Sequence, residues 1–397
     1  MHLATERGSV APGGAQRDHE AGRFGMAVGT SQRAAVAAPE VRPAGSLERA
    51  RRALQVFLEH VPAEAQHVLL CHSDADGLAS GVLVRRALER MGRPWLQLLP
   101  MGKGENAWSF AVLRRVQALE PEALFVLDLG SRAKPIFPGV PTMLIDHHRP
   151  MGVPPAGRLI SSYRWQPILC TAALAYWLFA AFVELSDLDW LAALGILGDL
   201  GEHATLEPLP QARARYGART LHEAMVLVNA ARSSASGDTA PALAALLAAR
   251  EPADIAHCQV PEARELAELR QAFDEELKRF KKVRPLLRDR VALIRVRSPY
   301  LIHPTLAHIW CERLPDRVVL VANEGYLPNR VGFSICTRSG VDLFGFLQAF
   351  RQNIDATEFG YGPNQPTGGS LSTEEWKNLL AMLGFQNEAR RGAPERP

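Results

Sequence analysis

His72-Ser73-Asp74-Ala75-Asp76-Gly77 places one imidazole and two carboxylates at every second position, directly after the apolar run at 67–71. Alternate residues of an extended segment face one side, so the three groups can converge just beyond a strand end. Capping is the plainer use of the same residues, with Asp76 opening the next helix and Asp74 in a solvated turn. Three further clusters repeat the pattern of an acid closing an apolar stretch. Asp128-Leu129-Gly130 follows 124–127, Asp146-His147-His148 follows 143–145, and Gly198-Asp199-Leu200-Gly201-Glu202 ends an apolar helical run. Taken singly, these read as a turn, a solvated histidine pair and a helix cap. Taken together they offer Asp74, Asp76, Asp128, Asp146 and Asp199 with His72, His147 and His148. Nitrogen and oxygen donors of this kind suit Mn, Fe or Zn, and no cysteine pair supplies a thiolate zinc site. Two divalent ions about 3.5–4 Å apart, bridged by a carboxylate, is the arrangement such an inventory supports; its chemistry is phosphoester hydrolysis.

The elements that must position these groups alternate. Apolar runs at 67–71, 94–99, 124–127 and 143–145 predict strands, and periodic stretches at 78–91 and 112–119 predict helices between them. Strands alternating with helices imply a parallel sheet with helices on both faces. Helices at 171–184 and 190–198 close this first domain, and Ser46 can cap a helix that leads into it. The apolar run 168–183 falls short of the roughly 18–20 residues that cross a bilayer and predicts a buried helix. Ala- and Arg-rich helices at 207–253 read as cover rather than as catalytic parts. An amphipathic helix at 262–283 is the connector, stopped by Pro285. A second, smaller α/β domain follows, with strands at 291–296, 318–322 and 331–337, helices at 305–314 and 343–350, a glycine loop, and a last helix opened by the capping box of Ser372 and Glu375. The division is a disordered arm at 1–45, a catalytic domain at 46–245, a connector at 246–288, a second domain at 289–387 and a tail at 388–397.

Composition narrows the class. At 397 residues, 47% hydrophobic and 22% charged, the chain excludes a wholly disordered or collagen-like protein and has room for two compact units. Lys plus Arg at 45 against Asp plus Glu at 42 gives a net charge of +3, so any polyanion must be met by local charge. Lys278 to Arg290, with Arg213, Arg215 and Arg219, could follow a single-stranded backbone or simply form a solvated face. Five scattered cysteines argue against a disulfide framework and fit a reducing cytoplasm.

His-x-Asp-x-Asp-Gly at 72–77, Asp128 with Gly130, Asp146-His147-His148 and Gly198-Asp199 match, in order, the four motifs of the DHH phosphoesterase superfamily, and the first motif resembles its RecJ-like branch. The distal region resembles the associated DHHA1 domain, from Val-Gly-Phe-Ser-Ile-Cys-Thr-Arg at 331–338 through Thr367-Gly368-Gly369-Ser370. The resemblance covers residues 47–387. It implies two divalent cofactor ions, usually Mn2+ with Mg2+ as the other option. One would be held by His72, Asp74 and Asp128, the other by Asp76, Asp128, His147 and Asp199, with Asp128 as bridge. A shared water, turned to hydroxide near neutral pH, would attack phosphorus. His148 would meet the phosphoryl oxygens and Asp146 would orient an imidazole. Thr367, Gly368 and Gly369 would hold substrate phosphates. Pro363 stands where the family has a histidine, so Asn364 or Arg338 takes over that contact or the substrate end differs.

The resulting expectation is an Mn-dependent phosphodiesterase or exonuclease acting on single-stranded nucleic acid or short oligonucleotides. The alternatives are hydrolysis of a small nucleotide (pAp or a cyclic dinucleotide) and a non-catalytic nucleic-acid-binding scaffold on the same fold. No membrane partner is expected, and a homodimer is compatible with the sequence.

Overall fold

The structure is a computed structural model, and it describes residues 44–341, 343 and 367–390. In the first lobe, β1 (His67–Cys71), α2 (Ala75–Arg90), β2 (Leu96–Pro100), α3 (Phe110–Ala118), β3 (Ala123–Leu127), β4 (Thr142–Asp146) and β5 (Gly157–Ser161) follow α1 (Ala44–His60). The five strands form one all-parallel sheet in the order β2-β1-β3-β4-β5. Strands β1, β3 and β4 are buried along their whole length, which is why they read as unbroken apolar runs. Leu69, Phe125, Leu127, Met143 and Ile145 pack on a thick helical layer from α1, α2, α4 (Thr171–Phe179) and α5 (Asp189–Leu200). Their neighbours Val68, Leu70, Leu124, Val126 and Leu144 pack against Val112 and Val116 of α3 and against Trp108. Helices therefore cover both faces.

Local chemistry explains the departures from expectation. Strand β5 is a half-exposed edge with only two large apolar residues, too short a signal to mark a strand. Helix α4 stops at Phe179, five residues before the expected end. Helix α1 starts ahead of Ser46, whose hydroxyl accepts from Arg49 instead of capping.

The remaining helices of this lobe are α6 (Leu209–Tyr216), α7 (Ala218–Ser233), α8 (Ala240–Ala248) and α9 (Pro252–Ala256). The connector α10 (Pro261–Phe280) spans both hydrophobic cores. Ala263 and Leu266 join the first lobe, and Phe273, Leu277 and Phe280 join the second. That lobe carries β6 (Leu286–Arg288), β7 (Val291–Val296), α11 (His303–Arg313), β8 (Val318–Leu327), β9 (Arg330–Thr337), β10 (Thr367–Ser372) and α12 (Thr373–Met382). Its sheet runs β10-β9-β8-β7-β6, parallel only between β7 and β8, where α11 makes the crossover. Residues 367–369, expected in a glycine loop, open β10 instead, because paired glycines have no side chain to announce a strand. The capping box opens α12: Ser372 Oγ accepts from the Glu375 N–H, and the Glu375 carboxylate accepts from the Ser372 N–H. Residues 1–43 of the expected arm, most of the helix at 343–350, and Pro363 and Asn364 lie outside the described residues, and the last two residues of that arm open α1. All five cysteines are free, and no helix among the described residues is long and apolar enough to cross a membrane.

Candidate metal centre

Strands β1, β3 and β4 all end on one edge of the sheet, and β1 is flanked by β2 on one side and β3 on the other. Crossovers leave such a strand in opposite directions and open a crevice at its carboxyl end. His72, Asp74 and Asp76 follow β1, Asp128 follows β3, Asp146 closes β4 and His147 and His148 come next. Asp199 arrives from the last turn of α5.

The capping role falls to Asp74, not Asp76. Asp74 is the N-cap of α2, its Oδ1 accepting from the Gly77 N–H at 3.0 Å, while its Oδ2 lies 2.7 Å from His72 Nδ1. Asp76 turns its carboxylate to the first turn of α4, where the N–H groups of Thr171 and Ala172 donate to its two oxygens at 2.7 and 2.8 Å. The Thr171 hydroxyl donates to Asp128 Oδ1 at 2.9 Å. One helix start thus fixes two acids, Asp76 through N–H groups that have no partner inside the helix and Asp128 through the Thr171 hydroxyl. Gly195 of α5 makes the approach feasible, since a Cβ there would sit 2.3 Å from Asp76 Oδ1.

Asp128 is the hub. It is 3% exposed and adopts a left-handed backbone conformation (φ 64°), uncommon for a residue with a side chain and frequent at functional sites. Its Oδ2 is 3.5 Å from His72 Nδ1 and its Oδ1 is 3.3 Å from His147 Nε2. His147 Nε2 is also 3.1 Å from Asp199 Oδ2. Asp146 accepts from the Gly130 and His148 N–H groups and lies 2.9 Å from His148 Nδ1. Three groupings of donor atoms each fall within 4.8 Å: His72, Asp74 and Asp128; Asp76, His147 and Asp199; and Asp128, His147 and His148. Every metal-ligating and catalytic residue expected from the sequence therefore converges here.

The electrostatics fit a cation. Burial, then the charge of Asp128, push Asp76 up to about 7, and burial followed by Asp76 and Asp128 raises Asp199. Burial opposes charge on the imidazoles too, yet the facing carboxylates win. His72 is held up at about 10, chiefly by Asp74, and His147 at about 11, chiefly by Asp128. His148 is raised by Asp146 and Asp128 against its burial. Asp128 itself stays well below the usual range, because hydrogen bonds from His147 and His72 outweigh burial. Crowded carboxylates that retain a proton or borrow a histidine's are the groups a divalent ion relieves. A donor set of nitrogen and oxygen suits Mn2+, Fe2+ or Zn2+ better than Mg2+, which favours oxygen alone.

The centre opens into a cleft of about 690 Å³. Gly368 and Gly369 of β10 line its second-lobe wall, and Thr367 begins the same strand. Arg338 does not join them. It follows β9 and pairs with Glu312 of α11, away from the cleft lining. Arg213 and Arg215 bond carbonyl oxygens of their own lobe, and Arg219 and Arg279 pair with Glu223 and Glu276. The structure also overturns the reading of 207–253 as mere cover. From α7, Arg232 reaches Asp74 Oδ2 at 3.1 Å and Asn229 Oδ1 accepts from the Ala75 N–H at 2.9 Å. Thr171, Arg232, Asn229 and the cleft histidine His303 were missed. Only Thr171 left a signal, as a polar residue at the head of an apolar helix.

No family model and no curated protein matches the sequence. Solved structures do match the fold. RecJ from Thermus thermophilus, in complex with Mn2+, aligns with a TM-score of 0.62 at 18% identity, over 91% of this chain and 56% of that one. An exonuclease RecJ bound to manganese aligns with a TM-score of 0.54 at 18% identity, over 90% and 96%. The DHH domain of a protein from a family of ribosomal proteins gives 0.57 at 14% identity, over 88% and 92%. The chain spans little more than half the length of the Thermus protein, and at these identities the likeness is one of fold.

Proposed function

Because the chain has the RecJ-like DHH fold, we propose that it is a divalent-metal-dependent phosphoesterase, with Mn2+ as the working ion, that hydrolyses phosphodiester bonds in single-stranded nucleic acid or short oligonucleotides. The observation that carries the reading is the convergence of three donor groupings in which the one formed by Asp128, His147 and His148 shares Asp128 with that of His72 and Asp74, and His147 with that of Asp76 and Asp199. His72, Asp74 and Asp128 would hold one ion and Asp76, Asp128, His147 and Asp199 the other. Bound ions would supply Lewis acidity toward the phosphoryl oxygens and lower the pKa of an attacking water.

The protein's own groups supply order. Thr171 and the start of α4 lock the directions of Asp76 and Asp128, so neither carboxylate must reorganise during the reaction. Asp146 engages His148 Nδ1 and, with Asp128, favours the charged form of that imidazole against its burial, the form in which Nε2 can donate to a phosphoryl oxygen as negative charge builds. Arg232 anchors Asp74 and adds positive potential on the cleft side.

The test is hydrolysis of end-labelled single-stranded oligonucleotides by the full-length chain with Mn2+, with EDTA and with Asp128→Asn. Shortening that needs Mn2+ and disappears in the variant is expected. Cleavage without metal, or an active Asp128→Asn protein, contradicts the proposal, and activity confined to pAp or a cyclic dinucleotide replaces its substrate.

A further inference from the structure

Facing the metal centre across the cleft, the second lobe presents a wall of different character. His303 opens α11, is 5% exposed and lines the cleft, and its buried Nδ1 has no protein partner among the described residues. Buried polar atoms nearly always find a partner, so this imidazole stands at the edge of an open cleft with a hydrogen bond unmet by the protein around it. The fold makes room for this ring. A Cβ at Gly332 of β9 would lie 3.1 Å from His303 Cε1, and Gly332 pairs across the sheet with Ser370 of β10.

We propose that this wall, centred on His303, is a subsite for the sugar of a ribonucleotide and makes the enzyme favour ribose over deoxyribose substrates, an inference that rests on the phosphoesterase reading. Three observations select a sugar hydroxyl over a phosphate or a base. Burial and then the charge of Arg232 push His303 down to about 3, so the imidazole is neutral, and through either tautomer it can present a donor or an acceptor to a hydroxyl, which can itself do both. Among the described residues the second-lobe wall after the connector holds no charged side chain of its own, the cations that border it being Arg270 of the connector and Lys103 and Arg232 of the first lobe; its polar groups are His303, Thr305, Tyr326, Ser334 and Ser370. The Tyr326 ring is already engaged, with Lys103 Nζ 4.2 Å from its centroid and the His303 ring 5.7 Å away, so it is no open platform for a base. Lys103 is in turn tied to the carbonyl oxygens of Ala235 and Pro299 at 2.7 Å each, which holds this side of the cleft together. With phosphorus at the metal centre, the adjoining sugar falls between the two walls. A 2′-hydroxyl is the group that separates RNA from DNA at such a position.

Matched ribo- and deoxyribo-oligonucleotides, compared with Mn2+, test the proposal. The expected ratio of kcat/KM is about tenfold or more for ribose, because a site built to bond a hydroxyl rejects the analogue lacking it. In His303→Ala the ratio falls toward one, and His303→Gln, whose amide both donates and accepts, retains part of it. A wild-type ratio near one, or a full ratio in a folded His303→Ala protein, overturns the subsite. Calorimetry with AMP and dAMP gives a readout without turnover. Tighter AMP binding that His303→Ala loses is expected, whereas equal binding, or a His303-dependent affinity for inorganic phosphate as strong as that for AMP, overturns it. If no oligonucleotide is cut yet AMP is still preferred, the phosphoesterase reading fails and the subsite stands. Cleavage without sugar preference removes the subsite alone.

Discussion

The first-lobe wall of the cleft carries Asp74, Asp76 and Asp199 with His72, Lys103 and Arg232, whereas the second-lobe wall carries His303, Tyr326, hydroxyls and glycines. The first is built from strand ends and helix starts, where backbone N–H groups and neighbouring side chains hold carboxylates too close together for comfort. The second is the face of a mixed sheet whose small residues leave space for one buried imidazole. A crowd of acids needs cations, and a neutral wall with an unpaired nitrogen needs an uncharged partner. On the function proposed above, the difference separates chemistry from selection. Changes on the first wall should abolish turnover or metal binding, and changes on the second should alter which substrate is preferred.

The sharpest way to break that separation is at Asp128, where Asp128→Asn should lower metal-dependent hydrolysis by about 10³-fold or more. His148→Gln comes next. With its metal affinity kept, the variant should lose about 10²-fold in kcat, a loss of charge stabilisation rather than of an ion; a parallel loss of affinity would instead make His148 a ligand. Thr171→Val removes only a hydroxyl that orients Asp128, and should weaken Mn2+ binding by about 10- to 100-fold, with Thr171→Ser restoring it.

The pH dependence follows from the same crowding. In the metal-free protein Asp76 holds its proton up to about 7, above its unfolded value, so its contribution to stability is lost as pH rises from about 4 to 7. His72 and His147, raised to about 10 and 11, contribute stability that is fully present below about 6.5 and lost as pH rises through those values. The Tm of metal-free protein should therefore fall from pH 6 to 9. Mn2+ affinity should rise over the same interval, because binding must displace these protons. Calorimetry in buffers of different ionisation enthalpy would count them. On the neutral wall the smallest effect belongs to Gly332→Ala. It should leave Tm nearly unchanged while shifting His303 by a few tenths of an ångström and reducing sugar preference a few-fold, with little change in metal affinity.

The candidate metal centre was readable because its residues sit where the chain announces them. Each of the four motifs closes an apolar run, and strands buried on both faces leave such runs unbroken. What stayed hidden was whatever reaches the site from a distance. Arg232 and Asn229 lie in an Ala- and Arg-rich stretch without a pattern of its own, and the packing of α7 against α5 and α10 carries them to the β1 end. His303 is a lone histidine before a proline, and its significance depends on Gly332, twenty-nine positions away in sequence and in contact in space. Strands β5 and β10 were lost for a related reason, since an edge or a glycine pair has too little apolar area to mark itself. Arg338 shows the converse. A basic residue next to the right motif faced away, because the turn after β9 delivers it to Glu312.

Metal stoichiometry tests the central claim most directly. Titrating metal-free protein with Mn2+, followed by calorimetry and by anomalous scattering from crystals of the complex, should find two ions per chain about 3.5–4 Å apart with Asp128 between them, and fewer than two in Asp128→Asn. A chain that binds no divalent ion, or that binds two as tightly after Asp128 is replaced, would contradict the account.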